Sequence, residues 1–288
     1  MMASTWGRVV LLSALVWGTL ALAQEAPAAG EHPAGEGGAS EQKLSKDVQN
    51  PVANLISVPL QNNTDLGIGP FDRQRNTLNI QPVVPMPLTL DWNLITRVIL
   101  PIVYQPDTAA ELGGTFGLGD TSVTFFVAPK KPGKLIWGVG PALLLPTATD
   151  DVLGTGKWSA GPSVVLLVQP GPWTLGVLAN NLWSVFGSGD RASVNQLLLQ
   201  YFITYDLPEG WYVNSAPILT ANWEAEAGQE WVVPFGGGGG KVFKVGGQAL
   251  NGSVGAYYNA VRPDGGAKWQ IRVQLAFLFP EGKKQQHE

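Results

Sequence analysis

The feature that most constrains this chain is a period of two, sustained through apolar segments too long for ordinary sheets. Leu135, Trp137, Val139, Leu143 and Leu145 alternate with Gly138, Gly140 and Ala142. Trp158, Ala160, Val164, Leu166 and Val168 then alternate with Lys157, Ser159, Gly161 and Ser163, and near the C-terminus Trp269, Ile271, Val273, Leu275, Phe277 and Phe279 alternate with Gln270, Arg272 and Gln274. Side chains that change face at every residue define strands. About twelve such segments follow one another, at 53–61, 75–84, 90–103, 117–128, 135–147, 157–169, 173–186, 194–207, 211–224, 230–243, 247–261 and 268–279. Most run about 9–15 residues, against about 5–6 for strands of soluble sheets and about 9–11 for tilted strands that cross a bilayer.

The connections fall into two classes that alternate. PMPLT, PKKPGK, PGP, PEG and KVGG close every second strand tightly, whereas 61–74, 104–116, 148–156, 187–193, 225–229 and 262–267 are mostly longer or more polar. Such alternation is what an up-and-down meander with both termini on one side produces, and an even strand count returns the C-terminus to that side. The expected fold is therefore all-β: a transmembrane up-and-down antiparallel β-barrel of about twelve strands, spanning 53–280, behind a short disordered N-terminal tether. Trp92, Trp137, Trp173 and Trp211 fall at the short-turn ends, and Trp158, Trp183, Trp223, Trp231 and Trp269 at the long-loop ends. Two interfacial girdles follow, because an indole meets headgroups with its N–H and acyl chains with its body.

Charged residues are 14% and hydrophobic residues 45% of the chain, yet past the leader no uninterrupted apolar run reaches the length of a spanning helix. Entry into a membrane then requires strands. A net charge of −4 without a Lys/Arg cluster gives no footprint for nucleic acid, and the absence of cysteine excludes disulfides and thiolate metal sites. Residues 1–23 read as a secretory signal, with Arg8, an apolar core from Val9 to Leu22 and the Ala21-Leu22-Ala23 cleavage motif. Residues 24–52 read as a periplasmic linker with a short helical turn near Lys43–Asn50 that Pro51 ends, and 281–288 as a tail. Whether residues 41–53 form a plug in the lumen or only a linker stays open at this level.

Charge is costly on a lipid face, by about 2–4 kcal/mol for Arg at the midplane. Arg75, Arg97, Asp120, Gln196, Gln200, Asn214, Asn222, Glu224, Arg272 and Gln274 are accordingly assigned to the lumen as pore-lining candidates. Ile95, Ile99 and Leu198 share that face, and Asn181 falls on the lipid face, against the pattern. Pro101, Pro141, Pro162 and Pro217 interrupt strands and imply bends. Catalytic chemistry finds little support, since His32 and His287 lie outside every strand and exclude a Ser-His triad or a histidine metal site in the wall. Gly236–Gly240 before Lys241 mimics a phosphate loop, but Phe235 and Val242 stand where Gly and Ser/Thr are needed. These glycines read as a bend or a close approach. Asp150 and Asp151, with Asp107 and Glu111, read as solvated loop tips. No catalytic, cofactor or metal residue is assigned.

The runs Asn76–Leu88, Trp92–Val103, Gly117–Phe126, Trp137–Ser163, Pro170–Ser184 and Ala256–Pro280 resemble a family of bacterial outer-membrane β-barrels catalogued as transporters, sometimes under the misleading label of neuromedin U. That family is akin to the outer-membrane proteins of phenol meta-cleavage pathways. The resemblance implies a barrel with a transport role in the bacterial outer membrane, reached by signal-dependent export, and carries over no binding residue. The expected partners are outer-membrane lipid, lipopolysaccharide and a small solute of unspecified identity. The expected function is passage of small solutes by diffusion through a narrow polar lumen, with no enzyme activity. A sealed structural or surface-interaction barrel, whose long loops bind a partner or lipopolysaccharide, is the alternative.

Overall fold

A computed structural model describes residues 36–109 and 112–280. The leader, both histidines, Glu111 and the 281–288 tail lie outside the described residues. One helix, α1 (Glu36–Val48), precedes the strands β1 (Ile56–Ile68), β2 (Arg73–Ile80), β3 (Val83–Pro87), β4 (Trp92–Pro106), β5 (Gly114–Leu118), β6 (Thr121–Pro129), β7 (Leu135–Leu145) and β8 (Lys157–Val168). β9 (Trp173–Gly187), β10 (Asn195–Asp206), β11 (Trp211–Ser215), β12 (Ile218–Asn222), β13 (Trp231–Val245), β14 (Gln248–Val261) and β15 (Trp269–Phe279) complete the sheet. β2 with β3, β5 with β6 and β11 with β12 are halves of interrupted wall strands, so the wall has twelve strands in sequence order, all antiparallel. β1 pairs with β15 from Ile56↔Phe279 to Leu66↔Trp269, and β9 pairs with both β8 and β10, which closes the sheet into a barrel. Closure satisfies the backbone along every margin, which a wall in lipid requires.

The outer face is apolar because the alternation puts it there. Val139, Leu166, Leu175, Ile203, Val254 and Val273 stand exposed on it. A continuous surface of this kind would drive aggregation in water and is matched by acyl chains. Aromatic pairs mark both rims: Trp92 against Trp137 (5.7 Å) and Trp173 against Tyr205 (4.8 Å) at the short-turn end, and Trp158 against Phe186 (5.3 Å) and Trp223 against Trp231 (5.4 Å) at the other. Asn181, a polar residue on this face, accepts a hydrogen bond from Trp223 Nε1 (2.9 Å) and donates to Asn195 Oδ1 (3.0 Å), which satisfies it near the rim.

Four local features differ from the sequence expectation. The polar run 61–65, a loop by its composition, is strand: β1 continues to Ile68 and β2 begins at Arg73, because Gln61, Asn63 and Asp65 face inward while Asn62 and Thr64 pair with Asn76 outside. The ladder slips by one residue between Ile102↔Leu118 and Ile99↔Ser122, so Asp120 leaves the wall alternation. Asp120 instead accepts from Ala148 N, Thr155 N and Thr155 Oγ1 and pins the 146–156 loop. Glu224 lies past the end of β12, in the exposed 223–230 connection. The tether, over its described part, is helical and enters the barrel mouth.

Pro141 and Pro162 face each other across β7 and β8, where neither can donate to the ladder. Beside them, a Cβ on Gly140 or Gly161 would overlap a carbonyl oxygen of the adjacent strand, Phe125 or Asn181 respectively. These residues let four neighbouring strands bend together. The glycine run in β13 allows the same close approach: a Cβ at Gly240 would overlap the Tyr212 hydroxyl, while Lys241 lies outward over the Trp211 ring (4.9 Å).

Candidate functional site: a divided lumen closed by an N-terminal plug

The inward faces of the strands build two unlike sectors. Along β4 and β6–β10, Ile95, Phe126, Val165, Leu167, Leu178 and Phe202 form a buried apolar cluster, with Leu198 packed on its edge. The misfitting Ile95 and Leu198 belong here: an inward position that meets no water carries no requirement for polarity. The other sector, built from β1, β3, β10, β11, β14 and β15 with Arg97 of β4, presents amides, guanidiniums and tyrosines to a cavity of about 220 Å³.

Two cations dominate that cavity. Arg272, on β15, lies over the Tyr257 ring (4.8 Å) and donates through Nε to Asn63 Oδ1 (3.2 Å), through Nη2 to Gln270 Oε1 (3.0 Å) and through Nη1 to the Ala216 carbonyl (2.9 Å). Ala216 stands where β11 gives way to β12, just before Pro217, so its carbonyl has left the ladder and also accepts from Gln200 Nε2 (3.3 Å). Arg97, on β4, donates through Nη2 to Gln81 Oε1 (2.7 Å), and Gln81 occupies the gap between β2 and β3. At the long-loop side Arg75 grips Asp65 through Nε (2.9 Å) and Nη2 (2.7 Å), and Asp65 also accepts from Gln270 Nε2 (2.9 Å). A continuous polar network thus runs Arg75–Asp65–Gln270–Arg272.

At the short-turn end the cavity is closed by chain from outside the wall. Leu44 and Val48, one helical turn apart in α1, pack with Ala53 and Leu55 against Val242, Ala249, Ala276 and Leu278. Val52 enters the apolar sector, filling the space a Cβ on Gly138 would need. On the adjacent helical stripe Ser45 Oγ (2.7 Å) and Gln49 Nε2 (2.8 Å) both donate to Asp206 Oδ1 at the end of β10. Lys46 Nζ donates to the Gly171 carbonyl (2.6 Å), and Gln169 Nε2 donates back to the Lys46 carbonyl (2.9 Å). The Asn50–Pro51 turn, with Asn50 Oδ1 accepting from Val52 N (3.0 Å), redirects the chain toward β1.

Of the residues assigned to the lumen from sequence, Arg97, Gln200, Asn214, Arg272 and Gln274 line the cavity together. Arg75 lies outside its lining in the Asp65 ion pair, and Gln196 and Asn222 face each other on β10 and β12 at the inward parity but outside the lining. Asp120 and Glu224 are not part of it. Sequence reasoning missed Gln61, Gln81, Tyr257 and the plug's Gln49. Gln81 carried a signal, the proline that follows it in mid-strand. Among the described residues no cluster of His, Cys, Asp and Glu is arranged to hold a metal.

A closed antiparallel barrel with an apolar, aromatic-rimmed exterior and a polar cavity inside has the architecture of bacterial outer-membrane barrels. No protein-family model and no curated protein sequence matches the chain. Among solved structures it is similar to the COG4313 outer membrane channel from Pseudomonas putida F1, at 18% identity over 78% of this chain and 94% of that one, with a TM-score of 0.60. Weaker likenesses are to the CymD monoaromatic hydrocarbon channel (10% identity, 88% and 96% covered, TM-score 0.43) and to outer membrane phospholipase A from Escherichia coli (11%, 78% and 96%, TM-score 0.40). At these identities the likeness is one of fold.

Proposed function

We propose that this protein is a channel of the bacterial outer membrane, exported by its leader, that passes small solutes down the polar side of its lumen when the N-terminal plug withdraws. One observation carries the reading. The polar cavity is closed at the short-turn end by an N-terminal segment held through a handful of hydrogen bonds and the apolar side chains of Leu44, Val48 and Val52, while the cavity lining beyond it remains polar. A wall built only for stability would fill that space with apolar side chains, as happens in the other sector. The channel from Pseudomonas putida with the same fold supports the reading, as does the resemblance to transporters of the neuromedin U label and the phenol meta-cleavage pathways.

The test compares the full-length protein with a variant lacking residues 36–52 in planar bilayers and in liposome swelling, after heat-modifiable gel mobility shows that both barrels have folded. The expected result is low, flickering conductance for the full chain and a large stable conductance with faster swelling for the deletion. Absence of conductance and swelling in both proteins overturns the reading. It would favour the alternative of a sealed structural or surface barrel, for which the observation is that Val52 completes the apolar filling of half the lumen.

A further inference from the structure

The two cavity guanidiniums are not balanced. Among the described residues the ion pairs are Lys43–Asp47, Arg75–Asp65, Arg191–Asp151 and Lys268–Asp72, and neither Arg97 nor Arg272 is in one. Both line the same cavity. The carboxylate in the lining, Asp47, comes from the plug and is paired with Lys43 (3.4 Å). All the partners of Arg272 are neutral oxygens, and so is the Gln81 oxygen that holds Arg97. Two like charges on one cavity, neither of them in an ion pair, are unfavourable, and a purely structural pair of amide partners would be served without charge.

The fixings of the two side chains differ in a telling way. Arg272 is held at all three of its nitrogens and lies flat on Tyr257. Arg97 is held through Nη2 alone, and that bond takes one of the two Nη2 N–H groups, so the fork that uses the other stays open to an acceptor. A guanidinium edge presents two parallel N–H groups, the geometry a carboxylate accepts. Around them the lining turns apolar, with Val83, Phe202, Ala216 and the plug's Ala53. We propose that the cavity is a binding site for a small organic carboxylate, which sets its anionic group on Arg97 beside Arg272 and its apolar body against Phe202 and Val83. This names the solute class for the channel proposed above and rests on that reading only for the claim that the ligand is transported.

The experiment uses the full-length protein in detergent and reads binding by calorimetry, with benzoate as the probe, benzamide as its neutral isostere, benzylamine as a cation and inorganic phosphate as a competitor. The expected result is benzoate binding at least tenfold tighter than benzamide or benzylamine, weakened at least tenfold by R97Q and restored to within about threefold by R97K. Equal binding of benzoate and benzamide overturns the proposal, as does an R97Q variant that folds and binds benzoate like the unmodified protein. Phosphate competing as well as benzoate also overturns it, since the site would then read charge alone. If R97Q does not fold, the comparison of the three aromatic probes on the unmodified protein still decides. Arg97-dependent binding without conductance would sink the channel and leave the site standing, whereas conductance without such binding does the reverse.

Discussion

The plug's hold on the barrel converges on one carboxylate, so Asp206→Ala is the sharpest perturbation of gating. Asp206 Oδ1 accepts from Ser45 Oγ at 2.7 Å and from Gln49 Nε2 at 2.8 Å, and Ser45 is buried to 1% exposure. Hydrogen bonds to a charged acceptor contribute about 1.5–3 kcal/mol each after hydration is counted. Losing both comes to roughly 3 kcal/mol at the lower bound, and at about 1.4 kcal/mol per factor of ten the withdrawn state gains about a hundredfold. A plug withdrawn roughly one part in a thousand would then be withdrawn about one part in ten. Asp206→Asn keeps an acceptor without its charge and should fall between. Two assays read the shift: open-channel probability in planar bilayers, and the rate of tryptic cleavage at Lys46, which in the closed state is held between the Gly171 carbonyl and Gln169. If Asp206→Ala matches the unmodified protein in both, the latch is not where the plug is held and the reasoning fails. A faster cleavage without any rise in open probability would show instead that the plug moves but is not the barrier.

Two further outcomes test the wall. Leu167, 2% exposed in the apolar sector, should cost about 2–5 kcal/mol when changed to alanine, seen as a lower urea midpoint in lipid vesicles; an unchanged midpoint would mean that this half of the lumen is loosely filled. Gly161→Val should abolish the heat-modifiable folded band, because its Cβ would overlap the Asn181 carbonyl, a backbone atom that cannot swing aside; folding at the normal yield would refute the shared bend of β6–β9.

The wall was legible in the sequence and its interior only partly so, for a reason that lies in the solvent on each side. Outward positions meet acyl chains, so Val139, Leu166 and Val273 must be apolar, and a polar exception such as Asn181 must find partners of its own. Inward positions obey no such rule. Ile95 and Arg97 sit two residues apart on the same inward face of β4, one in the apolar sector and one on the cavity, and nothing in their spacing separates those environments. Parity counting therefore found Arg97, Gln200 and Arg272, which share the lining. It also assigned Asp120 to the lumen, because the one-residue slip before Ser122 leaves no mark in the apolar pattern that follows it.

The plug stays undecided in the sequence for a different reason. The α1 sequence EGGASEQKLSKDV is polar enough to read as tether, and a free helix of that composition would have little reason to form. It needs only a narrow apolar stripe because the barrel supplies the opposite surface ready-made: Leu44 and Val48, four residues apart, meet Val242 and Leu278, whose inward direction was fixed when the wall closed. Ser45 and Gln49, again four apart, reach Asp206 from the neighbouring stripe. A segment that borrows its partner surface in this way carries too weak a signal to announce its docking. Under the proposed function the same borrowing leaves the segment displaceable, so that local sequence weakness and displaceability are one property seen twice, which is what a gate made from a tether requires and what a permanent core element would avoid.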